Sequence, residues 1–348
     1  MEKVLTIVIP TYNMEKYLDK CLTSLIIEDK ELMKQLEVLI VIDGAKDRSS
    51  DIAHTYQNRF PETFRVIDKE NGNYGSCVNR GLEEATGKYI KILDADDSFD
   101  TINFHKYLLL LSKRDDDMIL TPFVIVNEQG EITGRWKYNF PDNQVISWKE
   151  LTKVLKVTSL QMHAVTYKTE NVRSLNYKQT EGISYTDQEW VFTPLYAVDS
   201  IYYANIFLYK YLIGRSGQTV SPEALRKNVS NNVLCVKRIL LDYSNLSTDN
   251  AFKADYLTFK CYSSVVRVYD WCLLKYYQTD ICLINDFDEF VKQTNLKFYK
   301  LLNQEAIKFF PLKFVKKWRR NKSNSLGVKY LMIYYLSKLI DRIISKLS

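Results

Sequence analysis

Up to about residue 120 the chain repeats one pattern: a short, continuously apolar run, a few polar residues, then an amphipathic segment. The runs are Val4 to Ile9, closed by Pro10; Leu36 to Ile42, ending at Asp43-Gly44; Phe64 to Ile67; and Tyr89 to Leu93. Each has the length of a strand buried on both faces. Between them, Glu15 to Ile27 sets Tyr17, Leu18, Cys21, Leu22 and Leu25 on one helical face. Ser49 or Ser50 stands where it can cap a second helix, and Tyr74 to Ala85 reads as a third. Such alternation predicts an α/β fold with a mostly parallel sheet flanked by helices. Ligands of open α/β sheets bind outside the carboxyl ends of the strands. The polar clusters fall there: Thr11-Tyr12-Asn13, Asp43, and Asp94 with Asp96.

The stretch Lys88 to Asp97 ends its strand in three carboxylates within four positions. Carboxylates so crowded raise one another's pKa unless a cation sits between them. All-oxygen ligands suit Mg²⁺ or Mn²⁺ and leave room for substrate phosphates. The alternative is a solvated turn in which Asp97 or Ser98 caps the next helix. Neither G-x-G-x-x-G nor G-x-x-x-x-G-K-[ST] occurs, which disfavours a dinucleotide cradle and a P-loop. In the remaining crevice Asp43 is placed to bond a base or ribose, and Tyr12 to stack on the base. Gly72 and Gly75 would let the backbone approach a ligand closely. Each also has a plain structural reading, as a turn dipeptide or a loop glycine.

With 348 residues and 46% hydrophobic content, the chain can build one large α/β domain plus an appended segment. Cys21, Cys77, Cys235, Cys261, Cys272 and Cys282 are scattered and read as reduced thiols of a cytosolic compartment. His54, His105 and His163 are too far apart to suggest zinc. Met1-Glu2-Lys3 does not read as a signal peptide, and no uncharged run approaches the ~18 residues of a spanning helix. The net charge of +6 is uneven: from Pro311 onward ten Lys/Arg face the single acid Asp341.

Five blocks carry a resemblance. They are Ile7-Val8-Ile9-Pro10-Thr11-Tyr12-Asn13, Leu39-Ile40-Val41-Ile42-Asp43-Gly44, Asn71-Gly72-Asn73-Tyr74-Gly75, Asn79-Arg80-Gly81 and Leu93-Asp94-Ala95-Asp96-Asp97. In order and spacing, from residue 3 to about 125, the chain resembles family-2 glycosyltransferases of the GT-A fold, of the bacterial capsule and exopolysaccharide type. The resemblance implies an inverting transferase using a nucleotide-diphosphate sugar, usually UDP-linked, with Mn²⁺ or Mg²⁺. It places Thr11, Tyr12 and Asp43 on the base and ribose, and makes Asp94 and Asp96 the metal-binding pair, Asp96 the more direct ligand. Pro10, Gly75, Asn79 and Ala95 join the donor site through the same blocks. Ile42 departs from the family's habit of two acids before the glycine.

Residues 126–220 are expected to supply the acceptor half, after a nucleotide-binding half over 1–125. Asn127-Glu128-Gln129-Gly130 reads as a hairpin turn after a strand from Met118 to Val126. Ser147 and Glu150 have capping-box spacing, as do Thr186 and Glu189, which puts Asp187 at a first helical position. An acid there is stabilised by the helix dipole and needs no further role. The family's catalytic acid sits at the start of such a helix, so the resemblance implies Asp187, ahead of Glu189, as the base that takes the acceptor's proton. His163, in an apolar run, reads either as a satisfied core histidine or as a ligand to metal or diphosphate. Lys210 to Thr219 reads as a surface turn or as a mobile loop whose Arg215, with Gln218, closes on the diphosphate.

Residues 221–348 read as helices, Tyr256 to Tyr277 among them, with almost no Gly or Pro. The last sets Met332, Leu336, Leu339, Ile343 and Leu347 on one face and Ser337, Lys338, Asp341, Arg342 and Ser345 opposite. Preceded by the basic run Lys313 to Arg320, it suits an anionic membrane, or else docks on its own chain or a second subunit. No nucleic-acid partner is expected. The chain is thus expected to act at the inner face of the plasma membrane on a glycan or lipid-linked saccharide. A sugar nucleotidyltransferase and a non-catalytic binding protein of the same fold are the alternatives.

Overall fold

The computed structural model describes residues 2–215, 217–218, 222–276, 281–321 and 326–347, without the side chains of Pro222 and of residues beyond Ile344. The chain forms two compact units: Met1–Gln218 with Thr248–Tyr256, and Thr219–Ser247 with Leu257–Ser348.

Among the described residues the first unit is built on twelve strands: β1 (Leu5–Thr11), β2 (Leu36–Asp43), β3 (Phe64–Lys69), β4 (Tyr89–Ile92), β5 (Ser98–Phe99), β6 (Met118–Leu120), β7 (Phe123–Val126), β8 (Ile132–Trp136), β9 (Gln144–Val145), β10 (Val165–Lys168), β11 (Ile201–Tyr203) and β12 (Tyr209–Leu212). The larger sheet has the order β3-β2-β1-β4-β10-β6-β11-β9. Its first four strands run parallel, as their unbroken apolar runs predict. β10 lies antiparallel between β4 and β6. Every residue of β2 is buried.

The helix Asn73–Glu84 lies on this sheet through a glycine. A Cβ at Gly81 would stand 2.3 Å from Val8 Cγ1 on β1. Gly81→Ala is therefore expected to destabilise the chain by about 1–3 kcal/mol through overpacking. Thermal unfolding checks this, and Val8→Ala in the same chain should recover part of the loss.

A second sheet, β5-β12-β7-β8, stands beside the end of β4. β12 runs antiparallel to β5 and parallel to β7. The β7–β8 hairpin turns through Asn127-Glu128-Gln129-Gly130, where Gly130 has φ +82°.

Local differences from expectation have local causes. The strand over Met118 to Val126 divides into β6 and β7, which belong to different sheets. Between them Thr121 donates its N–H to Ala164, and Pro122 has no N–H to offer. The helix over Glu15 to Ile27 shortens to Leu18–Thr23. Ser24 ends it, its hydroxyl donating to Cys21 O and accepting the Phe99 N–H. Asp47, not Ser49 or Ser50, holds the start of helix Ser49–Arg59, accepting the Ser49 N–H at 3.0 Å. Asp100, not Asp97 or Ser98, caps helix Thr101–Leu111. Ser147 and Glu150 do form the capping box.

The second unit is helical, with Val229–Asn245, Ile281–Thr294, Phe314–Asn321 and Val328–Leu347 its longer elements. Its polar centre is Arg319, whose Nη2 donates to Asp288 at 2.5 Å and Nη1 to Tyr299 O at 2.7 Å. The helix read over Tyr256 to Tyr277 is Ala251–Asp270 followed by a wider turn at Trp271–Lys275; Tyr277 lies outside the described residues. Among the described residues no helix is long and apolar enough to cross a membrane. Among the described residues the six cysteines form no disulfide, and five of them are buried.

Candidate active site

β2, β1 and β4 end side by side, with Thr11 in register with Ile42 and Val8 with Ile92. At the end of β2, Asp43 is buried and already bonded. Lys69 Nζ donates to it at 2.6 Å, the Gly72 N–H at 2.9 Å and Asn71 Nδ2 at 3.1 Å. Along β1, Pro10 is half-buried and the buried Thr11 hydroxyl donates to Ile9 O. Tyr12, just beyond, is 45% exposed.

The turn after β4 gathers most of the charge. Asp94 accepts the Tyr74 hydroxyl at 2.9 Å, and its own N–H donates to the Tyr209 hydroxyl at 3.1 Å. Ala95 is buried. Asp97 points back to the second sheet, accepting Tyr209 Oη and the Leu212 N–H, each at 2.7 Å. Asp96 accepts Arg215 Nε at 2.5 Å, and that guanidinium lies 5.4 Å over the Tyr17 ring. Gln218 braces the loop carrying Arg215, accepting the Gly214 N–H and donating to Leu212 O. Ser216 and Thr219 of this loop lie outside the described residues.

Crowding and burial act on these acids as electrostatics requires. Burial, then the charge of Asp96, pushes the Asp94 carboxyl up to about 7. Burial, then Asp96 and Asp94, holds Asp97 well above the usual carboxylate range.

Below them sits His163, buried, with its ring stacked on Tyr211 at 4.2 Å between centroids. Burial and the neighbouring Lys91 charge lower its pKa to about 3, so the imidazole is neutral at any physiological pH. Its Nδ1 is buried with no hydrogen-bond partner among the described residues. Ligand atoms of Asp94, Asp97 and His163 all lie within 4.8 Å of one another. Asp96 stands outside this trio, against Arg215. Lys91 is fully buried and donates to His163 O at 2.8 Å and Val165 O at 3.0 Å.

Asp187 opens the short helix Asp187–Trp190 and is half-buried. The expected capping box does not form. Thr186 accepts Gln179 Nε2 at 2.8 Å, and the fully buried Glu189 accepts the Thr180 N–H at 2.8 Å. Asp187 reaches the acid turn electrostatically: its charge helps raise both Asp94 and the buried Tyr74 hydroxyl. Gly75 and Asn79 serve the same segment. A Cβ at Gly75 would stand 2.0 Å from Thr180 O. Asn79 donates to Gln179 O and Glu181 Oε1 and accepts the Gln179 N–H. The close approach that glycine permits is thus to the chain's own 179–181 segment.

Four contributors escaped the sequence: Tyr74, Lys91, Tyr209 and Tyr211. Half-buried Tyr211 has its phenol raised by burial and then by Asp97, Asp94 and Asp96. Its signal lay in the alternation Tyr209-Lys210-Tyr211-Leu212 just before the Gly-flanked loop.

A profile of Glycosyl transferase family 2 matches residues 6–172. The uncharacterized glycosyltransferase EpsJ of Bacillus subtilis is 30% identical over 45% of this chain and 44% of its own length, so less than half of that relative is spanned. The crystal structure of S. aureus TarS 1-349 in complex with UDP-GlcNAc shares the fold with a TM-score of 0.67 at 19% identity, over 92% of this chain and 88% of that one. The mannosyltransferase PcManGT from Pyrobaculum calidifontis, in complex with GDP-Man and Mn²⁺, gives 0.51 at 12% identity, over 100% and 88%. Over residues 6–172, a little under half of its length, the chain is similar to glycosyl transferase family 2.

Proposed function

We propose that the chain is an inverting glycosyltransferase that moves a sugar from a nucleotide-diphosphate donor, UDP-linked, to a hydroxyl of a glycan or glycolipid acceptor in cell-surface polysaccharide synthesis. The observation that carries this reading is convergence. Asp94, Asp96 and Asp97 from one turn meet His163, Asp187 and Arg215 from three other segments, at the carboxyl edge of a parallel sheet. UDP is favoured because TarS, of the same fold, holds UDP-GlcNAc.

The donor set suits a divalent cation. Two carboxylates and a neutral imidazole with a buried, unbonded Nδ1 stand together, and their like charges call for a counter-ion. Asp94, Asp97 and His163 would hold it, with Asp96 adjacent. When bound, Mn²⁺ or Mg²⁺ supplies positive charge for the departing diphosphate. Arg215, in exchange for Asp96, bonds the diphosphate oxygens. Thr11, Tyr12 and Asp43 hold the base and ribose, and Pro10, Ala95 and Gln218 shape the pocket around them. Asp187 accepts the acceptor's hydroxyl proton as that oxygen bonds the anomeric carbon and the bond to the diphosphate breaks. Attack opposite the leaving group inverts the anomeric centre.

The test is a screen of UDP- and GDP-sugars with Mn²⁺. One donor should raise the thermal midpoint, by the equivalent of about 2.7 kcal/mol at a hundredfold excess over its Kd. The same donor should be slowly hydrolysed. If no nucleotide sugar outperforms the nucleotide-free control, the reading fails.

A further inference from the structure

Helix Val328–Leu347 turns its apolar side outward. Val328, Met332, Tyr335, Leu336, Leu339 and Ile343 are between 47% and 71% exposed. At 3.6 residues per turn these six fall within an arc of about 100°. The opposite side faces its own unit with polar groups. Ser337 and Tyr334 are buried, Tyr334 Oη donates to Asp270, and Asp341 pairs with Lys308 at 2.5 Å. An amphipathic helix that spends its polar face on its own unit and shows its apolar face outward is covered by something else.

Charge selects the cover. On the helical wheel Lys329 borders the arc on one side, Arg342 and Lys338 on the other, and all three are exposed. The only acid among the helix's described residues, Asp341, lies on the inward side. Two copies packed stripe to stripe would bring basic margins together with no acid between them, which repels. A surface of anionic lipid headgroups satisfies both features: it takes the six apolar side chains between acyl chains and the margins at the phosphates. Tyr335 adds an aromatic of the kind that settles at that boundary. From Val328 to Ile343 the stripe runs roughly 22 Å. It lies along the surface and does not span.

We infer that this face of residues 328–343 docks the chain peripherally on an anionic lipid bilayer. The inference is independent of the catalytic reading, because it needs neither donor nor metal. The test is co-sedimentation of the full chain with phosphatidylglycerol–phosphatidylcholine vesicles and with pure phosphatidylcholine, alongside light scattering without lipid. The parent should partition onto the anionic vesicles and weakly onto the neutral ones, more weakly as salt is raised. Met332→Glu with Leu339→Glu should weaken partitioning at least about tenfold, and so should Lys329→Glu with Arg342→Glu. All four positions are exposed, so unchanged thermal unfolding separates lost docking from lost folding. Equal binding by parent and both variants, or no binding by the parent, overturns the inference. So does a lipid-free dimer that the Met332/Leu339 variant converts to monomer, which would assign the stripe to a second copy.

Discussion

Changing Asp187 to Asn lowers the turnover number by about 10²–10⁴-fold while donor affinity stays within about twofold. The split follows from position. Asp187 stands at the edge of the acid turn, close enough for its charge to raise Asp94 and Tyr74, yet outside the Asp94–Asp97–His163 trio. An amide there keeps size and shape but cannot take a proton. Product formation under saturating donor reads the first effect, and thermal shift with UDP and Mn²⁺ reads the second. Glu189→Gln gives the contrast. It disturbs a buried carboxylate that accepts the Thr180 N–H, so it should lower the melting midpoint at least as much as activity. An Asp187→Asn enzyme with parental turnover would move the base elsewhere and leave the mechanism without its proton acceptor.

Asp94→Asn should abolish transfer and yet make the metal-free chain more stable. The Asp94 carboxyl is pushed up to about 7 by burial and by Asp96, against an unfolded value near 3.9. As pH rises, the unfolded chain therefore loses this proton first, and stability drains away between about pH 4 and pH 7. The amide removes that penalty. At pH 8 the gain should be about 1–3 kcal/mol, falling to nothing near pH 4 where the parent's carboxyl is protonated too. The Tyr74 hydroxyl still finds an acceptor in the amide oxygen of the variant, so no bond is lost in exchange. Added Mn²⁺ should reverse the ranking, raising the parent's midpoint and leaving the variant's unmoved. Denaturant unfolding at pH 5 and pH 8, with and without Mn²⁺, measures all of this. A variant less stable than the parent at pH 8 without metal would show that crowding among these carboxylates is not the governing force.

How much of this was legible in the sequence depended on the range of the interaction. The parallel core was readable because each strand announces itself locally: β2 is buried at every position, and its sequence is apolar almost without break. The acids at its edge were readable for the same reason, since Asp43 and Asp94 follow directly on apolar runs. Roles set by distant partners were not. Asp97 read either as one of the crowded carboxylates or as a helix cap, and only the pairing of Ser98–Phe99 with Tyr209–Leu212, more than a hundred residues away, turns its carboxylate to Leu212 and Tyr209. His163 looked more like a core histidine than a ligand, because nothing adjacent reveals that it lies within 4.8 Å of two acids. Asn79 belonged to a recognisable block, but its amide is taken by Gln179, Glu181 and nothing nearer in sequence. Asp187 was placed at its helix start from spacing, although the Thr186–Glu189 box that suggested it is not what holds the helix.

What does hold that helix has a consequence for how such an enzyme can open. Asn79 grips the backbone of Gln179, Gln179 grips Thr186, and Glu189 returns to Thr180, so a short tie-rod runs from the glycine-bearing helix to Asp187. A Cβ at Gly75 would stand 2.0 Å from Thr180 O, so the proposed proton acceptor is tied closely to that helix. Under the proposed mechanism, adjustment to an entering nucleotide is then expected of Arg215 and the arm that carries it. Grafting that arm from a relative would change how long a donor dwells without re-aiming the attack.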